Sequence, residues 1–174
     1  MTTYTMDQSH SSIGFTARHA MITKVRGQFT DYEATVNVDD SNQATINATI
    51  QTASINTGNA DRDNHVKGED FFDVAQFPTM TFVAQMPAPS STTGNTKIAG
   101  ELTIKGVTKP VELDVEFLGE SEDPFGNVRQ GFEATTSINR TDFGIDFNAP
   151  LKTGGVLISE KIGIEISGSA IKQS

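Results

Sequence analysis

The chain contains three histidines, the side chains best suited to acid–base catalysis and zinc binding near neutral pH. They are His10, His19 and His65, and their separations match none of the short spacings that bring two ligands to one helix face. A metal site would therefore have to be assembled by the fold, and we expect none. His19 falls on the inward-facing phase of a predicted strand, where a histidine is typical of a hydrogen-bonded core residue.

The sequence also lacks the motifs of the common catalytic and nucleotide-binding sites. It has no Gly-x-Ser-x-Gly nucleophile motif, no phosphate-binding loop and no dinucleotide fingerprint. It has no cysteine, which excludes disulfides, thiolate nucleophiles and thiolate metal sites. We predict no catalytic residue and no cofactor. An enzyme with His19 or His65 as acid–base group is kept only as a third hypothesis.

The charge balance argues against nucleic acid as a partner. The 174 residues carry 22 acidic and 13 basic side chains, a net charge of -9, which opposes binding to phosphate backbones unless a basic patch exists. The densest positive stretch contributes Lys105 and Lys109, which are typical of solubilising residues at strand ends. The opening MTTYTMDQSH shows neither the basic nor the apolar region of a secretory signal, so we expect a cytoplasmic protein.

The elements that must position these side chains are β-strands. Apolar residues alternate with polar ones from end to end, between turn signals, as in an all-β sandwich or barrel. We predict eight strands: SSIGFTARH, VRGQFTDYEATVNV, QATINATIQTASI, PTMTFVAQM, the two strands of the hairpin GELTIKGVTKPVELDVEF, VRQGFEATTSI and VLISEKIGIEIS. Residues 57 to 73 lack alternation, and we expect one or two helical turns there, started by Asn59 or Asp61.

Two features predict that the strands close into one antiparallel barrel. The second and third strands change phase midway, which indicates a bulge or sharp bend in both. Pairing of the last strand with the first would leave no exposed edge. A barrel of about eight strands has a lumen that side chains just fill, or that leaves room for one slim ligand. The inward residues mix phenylalanine with alanine and glycine, so composition alone leaves both a filled core and a hollow lumen open.

Four ordered blocks of the sequence carry a specific resemblance. They are MDQSHSSIGFTARHAMITKVRGQF, ADRDNHVKGEDFFDVAQFPTMTF, GELTIKGVTKPVEL and INRTDFGI, and together they span nearly the whole chain. In these blocks the chain resembles the YceI family of polyisoprenoid-binding, lipocalin-like proteins. The resemblance implies a single domain over residues 1–174, folded as an eight-stranded antiparallel lipocalin-like barrel with a short helical segment around residues 60–73. It also implies an apolar tunnel that binds a long-chain isoprenoid lipid or isoprenoid quinone.

The same resemblance makes the inward-facing residues a candidate ligand-binding wall. This set comprises Phe15, Ala17, His19, Met21, Phe29, Ile46, Ala48, Ile50, Phe82, Leu102, Leu113, Val115, Phe117, Phe132, Ala134, Ile138, Phe143, Ile158, Ile162 and Ile164. The helical segment is expected to cover one mouth of the tunnel, with Phe71, Phe72 and Phe77 turned toward the lipid tail.

Charged residues near that mouth allow two interpretations. Arg62 and His65 are headgroup candidates, although an adjacent Arg62 and Asp63 usually mark a capped or salt-bridged helix start. Arg140 and Asp142 are expected to tie the loop before the last strand to the barrel wall. We predict a non-enzymatic carrier or sequestering protein, with a filled barrel acting as a protein-interaction module as the alternative. A transient membrane contact and a homodimer are compatible with the carrier hypothesis.

Overall fold

The computed structural model describes residues 1–20, 22–148 and 158–173, and within these ranges it contains eleven β-strands and one α-helix. The strands are β1 (Thr2–Met6), β2 (Ser12–His19), β3 (Thr23–Phe29), β4 (Tyr32–Val38), β5 (Gln43–Gln51), β6 (Ile55–Asn56), β7 (Thr79–Pro87), β8 (Thr93–Ile104), β9 (Val107–Glu122), β10 (Val128–Asn139) and β11 (Lys161–Lys172). The helix is α1 (Ala60–Lys67), and 3-10 turns occupy Gln8–His10, Thr52–Ser54 and Arg140–Phe143.

The strands form one antiparallel sheet that closes on itself. The hydrogen-bonded order is β1, β4, β5, β7, β8, β9, β10 and β11, and β11 returns to β1 through pairs such as Tyr4 with Lys172. The strands β2, β3 and β6 continue β1, β4 and β5 past short interruptions, so the eleven strands fill eight positions around the barrel. The predicted eight-stranded antiparallel barrel and the pairing of its last strand with its first are therefore confirmed.

The predicted phase changes in the second and third strands coincide with interruptions of the ladder. β3 ends at Phe29 and β4 begins at Tyr32, while the 3-10 turn Thr52–Ser54 separates β5 from β6. The hydroxyl of Thr52, in a residue only 2% exposed, shares its hydrogen bond between the carbonyl oxygens of Phe77 and Pro78, both at 2.9 Å. Because each break lets a long strand bend, the sheet can curl far enough to close.

Helix α1 begins as predicted and ends earlier than predicted. The side chain of Asn59 caps it by accepting a hydrogen bond from the backbone N–H of Arg62 at 3.0 Å. The helix ends at Lys67, where the chain reverses so that the N–H of Phe72 donates to the carbonyl of Val66 at 3.1 Å. Residues 68 to 73, which were expected to continue the helical segment, instead form turns that direct Phe72 back toward the barrel.

The strand ends differ from the prediction at two places. β1 was not predicted, because its sequence, TTYTM, contains only two large apolar or aromatic side chains, which is too few to show an alternating pattern. The last strand was expected over residues 156–167 and runs over Lys161–Lys172, because its C-terminal end gains β1 as a partner. Residues 156 and 157 of the expected range lie outside the described residues. The turn between β8 and β9 is confirmed: Lys105 and Gly106 both have positive φ, 54° and 77°, as a two-residue hairpin turn requires.

Candidate functional site: the barrel lumen

The lumen of the barrel is hollow. It contains a cavity of about 960 Å³, at the upper end of the roughly 300–1,000 Å³ typical of small-molecule sites. Inward-facing side chains such as Phe117, Phe132 and Ile164 are only half-buried because they face this open space. Of the two alternatives that composition left open, the structure therefore shows the hollow lumen.

Most of the predicted wall lines this cavity. The predicted residues found on it are Phe15, Ala17, His19, Phe29, Ile46, Ala48, Ile50, Phe71, Phe72, Phe82, Leu102, Leu113, Val115, Phe117, Phe132, Ala134, Ile138, Phe143, Ile158, Ile162 and Ile164, together with Arg62 and His65. Met21 lies outside the described residues. Phe77 is not on the wall: its ring lies beside the β8–β9 turn, 3.2 Å from the position that a Cβ on Gly106 would take.

Glycines on neighbouring strands explain how large aromatic rings fit on the wall without blocking the lumen. Phe15 pairs with Gly27 across the β2–β3 ladder, and a methyl group at Gly27 would overlap the Phe15 ring. On β8, a Cβ at Gly100 would stand 2.5 Å from Cζ of Phe82. Each ring therefore lies sideways over the adjacent strand, in space that any other residue would fill.

Aromatic contacts connect the segment after α1 to the barrel. The ring of Phe72 lies edge-on to Phe29 with centroids 5.8 Å apart, and Phe71 and Phe147 are 5.4 Å apart. His65 contacts both of the latter rings, at 5.1 and 5.0 Å, and its Nε2 lies 2.8 Å from Oδ2 of Asp70. The helix thus lies beside one mouth of the cavity, which we call the α1 end.

The two ends of the cavity carry different polar groups. The charged and imidazole side chains at the α1 end are Arg18, His19, Asp61, Arg62, His65 and Arg140. At the opposite end, where β9 and β11 finish, the polar lining residues are Thr2, Tyr4, Asn42, Ser90, Ser91, Thr92, Glu120, Gln130 and Lys172. Between these ends the wall is apolar, so the cavity suits a long apolar molecule with a polar terminus.

Arg140 is the buried cation of the α1 end. The residue is 4% exposed, and its guanidinium donates to the backbone carbonyls of Ser159 (2.9 Å), Ile145 (2.7 Å) and Ile158 (3.2 Å). Burial lowers the pKa of Arg140 from its ordinary value, although nearby carboxylates oppose this effect. The predicted tie between Arg140 and the loop before the last strand is confirmed, whereas Asp142 is exposed.

Arg62 and Asp63 do not bridge each other but share one partner, Thr57. The guanidinium of Arg62 donates from Nε to the Thr57 hydroxyl (2.9 Å) and from Nη2 to its carbonyl (2.7 Å). The carboxylate of Asp63 accepts the backbone N–H of Thr57 at 2.8 Å and its hydroxyl hydrogen, and the side-chain bond is the main reason why the pKa of Asp63 is lowered. The pair therefore fixes the start of α1 to the segment after β6.

Sequence reasoning missed the part of the wall that comes from β1. Tyr4 and Met6 line the cavity, and Met6 packs against the core of buried residues. Their two-residue spacing is the one signal that could have placed them. Among the described residues, no group of three or more histidine, aspartate or glutamate side chains could hold a metal ion, and no helix is long and apolar enough to cross a membrane.

These features define the class of protein: a hollow, lipocalin-like antiparallel β-barrel with an apolar lumen and a short helix beside one mouth. The model of the YceI-like domain matches residues 4–170, and the chain belongs to the YceI family. A relative from Staphylococcus aureus (strain MSSA476), UPF0312 protein SAS2572, is 41% identical over 170 residues, which cover 96% of each chain.

Solved structures show the same fold. The YceI protein of Campylobacter jejuni is 31% identical, with a TM-score of 0.74 over 90% of each chain. A polyisoprenoid binding domain from Saccharophagus degradans, implicated in plant cell wall breakdown, has a TM-score of 0.74 over 98% of each chain at 13% identity. At that identity the second likeness supports the fold alone.

Proposed function

We propose that this protein binds the tail of a long polyisoprenoid lipid in its lumen and acts as a carrier or sequestering protein, without chemistry on the lipid. The observation that carries the proposal is the hollow apolar cavity of about 960 Å³ between two polar ends. The neighbour from Saccharophagus degradans, which shares the fold, is described as a polyisoprenoid binding domain, so this ligand class is the first to test. An isoprenoid quinone is one ligand of this class.

The energetics of such binding are favourable without specific polar contacts. Burial of apolar surface contributes about 25 cal/mol per Å² before the cost of ordering the chain. At about 0.3 kcal/mol per non-hydrogen atom for a large ligand, a tail of roughly 30 carbons would contribute about 9 kcal/mol, which corresponds to a submicromolar dissociation constant. The tail alone would therefore account for tight binding, and weak discrimination between neighbouring tail lengths is expected.

The alternative of a filled barrel that acts as a protein-interaction module has no support from the lumen, because that space is open. The cytoplasmic location, the transient membrane contact and the homodimer stay predictions. None of them is needed for the carrier proposal.

Native mass spectrometry tests the proposal. Protein stripped of lipid by solvent extraction should take up one molecule of an added long-chain prenyl alcohol, and ligand should raise its melting temperature because it binds the folded form. Protein that takes up neither the alcohol nor a prenyl quinone with the same tail would contradict the proposal. The mass of any molecule that co-purifies with the protein would identify the natural ligand.

A further inference from the structure

The β2–β3 hairpin has a charge pattern that differs from the rest of the chain. Residues 8–30, which include this hairpin, contain no aspartate or glutamate, although the chain as a whole has a net charge of -9. The same stretch contributes Arg18, Lys24 and Arg26, and all three residues are exposed. The hairpin is therefore locally cationic within an acidic protein.

The strand register places these basic side chains on the outer face of the hairpin. Ala17 pairs with Val25, and both line the cavity, so their face of the hairpin is the inner one. Arg18 pairs with Lys24, and Arg26 lies two positions from Lys24 on the same strand. Because successive side chains of a strand point to opposite faces, the three basic residues share the outer face.

The charges on this outer face repel one another and are not compensated. Arg18 and Lys24 lie directly opposite each other in the ladder, an arrangement that is destabilising for like charges. None of the ion pairs among the described residues involves Arg18, Lys24 or Arg26. The adjoining segment adds Glu160 and Lys161, whose charges are of opposite sign. A negatively charged surface would therefore relieve a repulsion that is present in the free protein.

The turn of the hairpin presents an apolar side chain to solvent. Ile22 is 79% exposed, and its backbone N–H closes the turn by donating to the carbonyl of His19 at 3.2 Å. The side chain belongs neither to the hydrophobic core nor to the cavity wall. A single exposed isoleucine has no special meaning by itself. Here it stands beside uncompensated positive charges, and this combination is typical of interfacial membrane contacts.

One edge of the hairpin is also free. β3 pairs with β6 only at Gln28 and Phe29, so residues 23–27 have β2 on one side and no strand of the described chain on the other. On the β2 side, the backbone N–H of Arg18 donates to the Ser159 hydroxyl at 2.8 Å, and the N–H of Ser159 donates to the carbonyl of Arg18 at 2.9 Å. The hairpin is thus held along β2, and it exposes the β3 edge and the turn.

We infer that this hairpin docks the protein on an anionic lipid bilayer, with Ile22 at the interface and the basic side chains beside the lipid phosphates. Interfacial binding combines buried apolar area with attraction between basic residues and anionic lipids. The choice of a bilayer over an acidic protein rests on the proposed function, because a lipid carrier must meet the membrane that holds its lipid. The inner face of the hairpin lines the lumen, so docking would bring that end of the lumen to the bilayer.

The opposite end of the barrel lacks this combination and supplies a matched control. Phe125, in the β9–β10 loop, is 88% exposed, which is comparable to Ile22. Its charged neighbours in sequence are Glu120, Glu122 and Asp123. Because like charges repel, an anionic bilayer should not bind at Phe125.

Vesicle sedimentation with lipid-free protein tests the inference. Vesicles of equal parts phosphatidylcholine and phosphatidylglycerol should bind the protein at least about tenfold more tightly than vesicles of phosphatidylcholine alone, because each basic residue near an anionic surface strengthens binding by about fivefold. Raising the salt to about 1 M should remove this difference, because the Debye length falls to about 3 Å.

Three variants and two controls assign the binding to the hairpin. Lys24→Gln and Arg26→Gln should each weaken binding to the mixed vesicles by roughly fivefold, and Ile22→Ser by roughly tenfold. None of these residues lines the cavity, so each variant should still take up the prenyl alcohol from detergent solution. Lys97→Gln makes the same change in net charge at a side chain that is 68% exposed on β8, and it should keep the parent's binding, as should Phe125→Ser.

Each contrary outcome has a distinct meaning. Mixed vesicles that bind no better than phosphatidylcholine alone, with uptake of the alcohol intact, would overturn this inference and leave the proposed function standing. Vesicle binding without uptake of the alcohol would overturn the proposed function and leave the docking surface. Loss of binding in Phe125→Ser, but in none of the hairpin variants, would place the contact at the opposite end. Polyglutamate that binds as tightly as the mixed vesicles, with no loss in Ile22→Ser, would indicate an acidic protein as the partner instead.

Discussion

The ring of Phe132 lies over Gly168, its direct partner across the β10–β11 ladder. A Cβ at Gly168 would stand 2.5 Å from Cζ of Phe132 and 3.1 Å from Cε of Met6. The glycine thus leaves a shallow depression in the wall, and the aromatic ring occupies it. Because Phe15 and Phe82 lie over Gly27 and Gly100 in the same way, the barrel can carry large side chains on its inner face and still leave an open lumen.

Gly168→Ala should therefore both destabilise the protein and narrow the lumen. The added methyl group must displace the Phe132 ring into the cavity, at a cost of about 1–3 kcal/mol for overpacking. We expect a lower melting temperature and reduced uptake of a prenyl alcohol. Gly131→Ala is the matched control, because a Cβ there would meet Leu118 at an ordinary 3.5 Å. Equal effects of the two substitutions would contradict the packing argument.

An ion-pair network joins two distant loops outside the lumen. Arg129 is half-buried and binds Asp7, before the first 3-10 turn, at 2.7 Å and Asp123, in the β9–β10 loop, at 2.8 Å. The hydrogen bond from Arg129 is the main reason why the pKa of Asp123 falls to about 2 and the pKa of Asp7 falls well below its usual range. Both carboxylates therefore have a lower pKa in the folded protein than in the unfolded chain.

The sign of the resulting pH dependence follows from linkage. A carboxylate with a lowered folded-state pKa stabilises the fold above its unfolded pKa of about 3.9, and this contribution is lost as pH falls through the folded value. Urea melts should show Asp123→Asn less stable than the parent protein at pH 7, with the difference shrinking between about pH 4 and pH 2. The exposed Asp31→Asn serves as the control. A difference that stays constant with pH would contradict the role of the ionised form.

Arg140→Lys should be strongly destabilising despite the conserved charge. Three guanidinium nitrogens bind three separate carbonyls, and a lysine ammonium cannot reproduce that planar arrangement. Loss of two hydrogen bonds from a buried charged group, at about 1.5–3 kcal/mol each, costs roughly 3–6 kcal/mol. Urea unfolding would give the size of the effect, and faster amide exchange at Ser159 would locate it. Unchanged stability and exchange would show that Arg140 does not secure this segment.

The barrel could be predicted from the sequence because the features that let the sheet close appear as local patterns along the chain. Alternation placed Ile46, Ala48 and Ile50 on one face, and the phase changes marked the bends that let the sheet curl. The capping preference of Asn59 located the start of α1. These features depend on neighbouring residues and need no knowledge of tertiary contacts.

The features that the sequence did not predict depend on contacts across the barrel. Whether Phe132 fills the lumen or lies along the wall depends on Gly168, which is 36 positions away in sequence and becomes its partner only in the closed sheet. The expected place of Phe77 on the wall was not found because its ring lies against the β8–β9 turn. The convergence of Arg18 and Arg140 on Ser159 likewise depends on three segments that are remote in sequence.

The position of the lipid tail can be tested by filling the lumen from one strand. Ala48 lines the cavity. Its partners in the neighbouring strands are Ala34 on β4 and Phe82 on β7. Ala48→Phe should therefore leave the barrel folded, since the new ring enters a cavity and not a packed core, where the same change would cost about 1–3 kcal/mol. The rise in melting temperature that a prenyl alcohol gives to the parent protein should disappear, because the tail can no longer pass this point.

Ala99→Phe adds the same ring to an exposed position of β8 that is not on the wall, so it should keep the full ligand-induced rise. Three results of this pair of variants can be distinguished by thermal melts. Loss of the rise in Ala48→Phe alone places the tail beside Ala48. Loss of stability without lipid in Ala48→Phe would mean that the lumen is packed at this level. A full rise in both variants would mean that the tail does not pass Ala48, because a phenylalanine there leaves too little room for a prenyl chain beside Phe82.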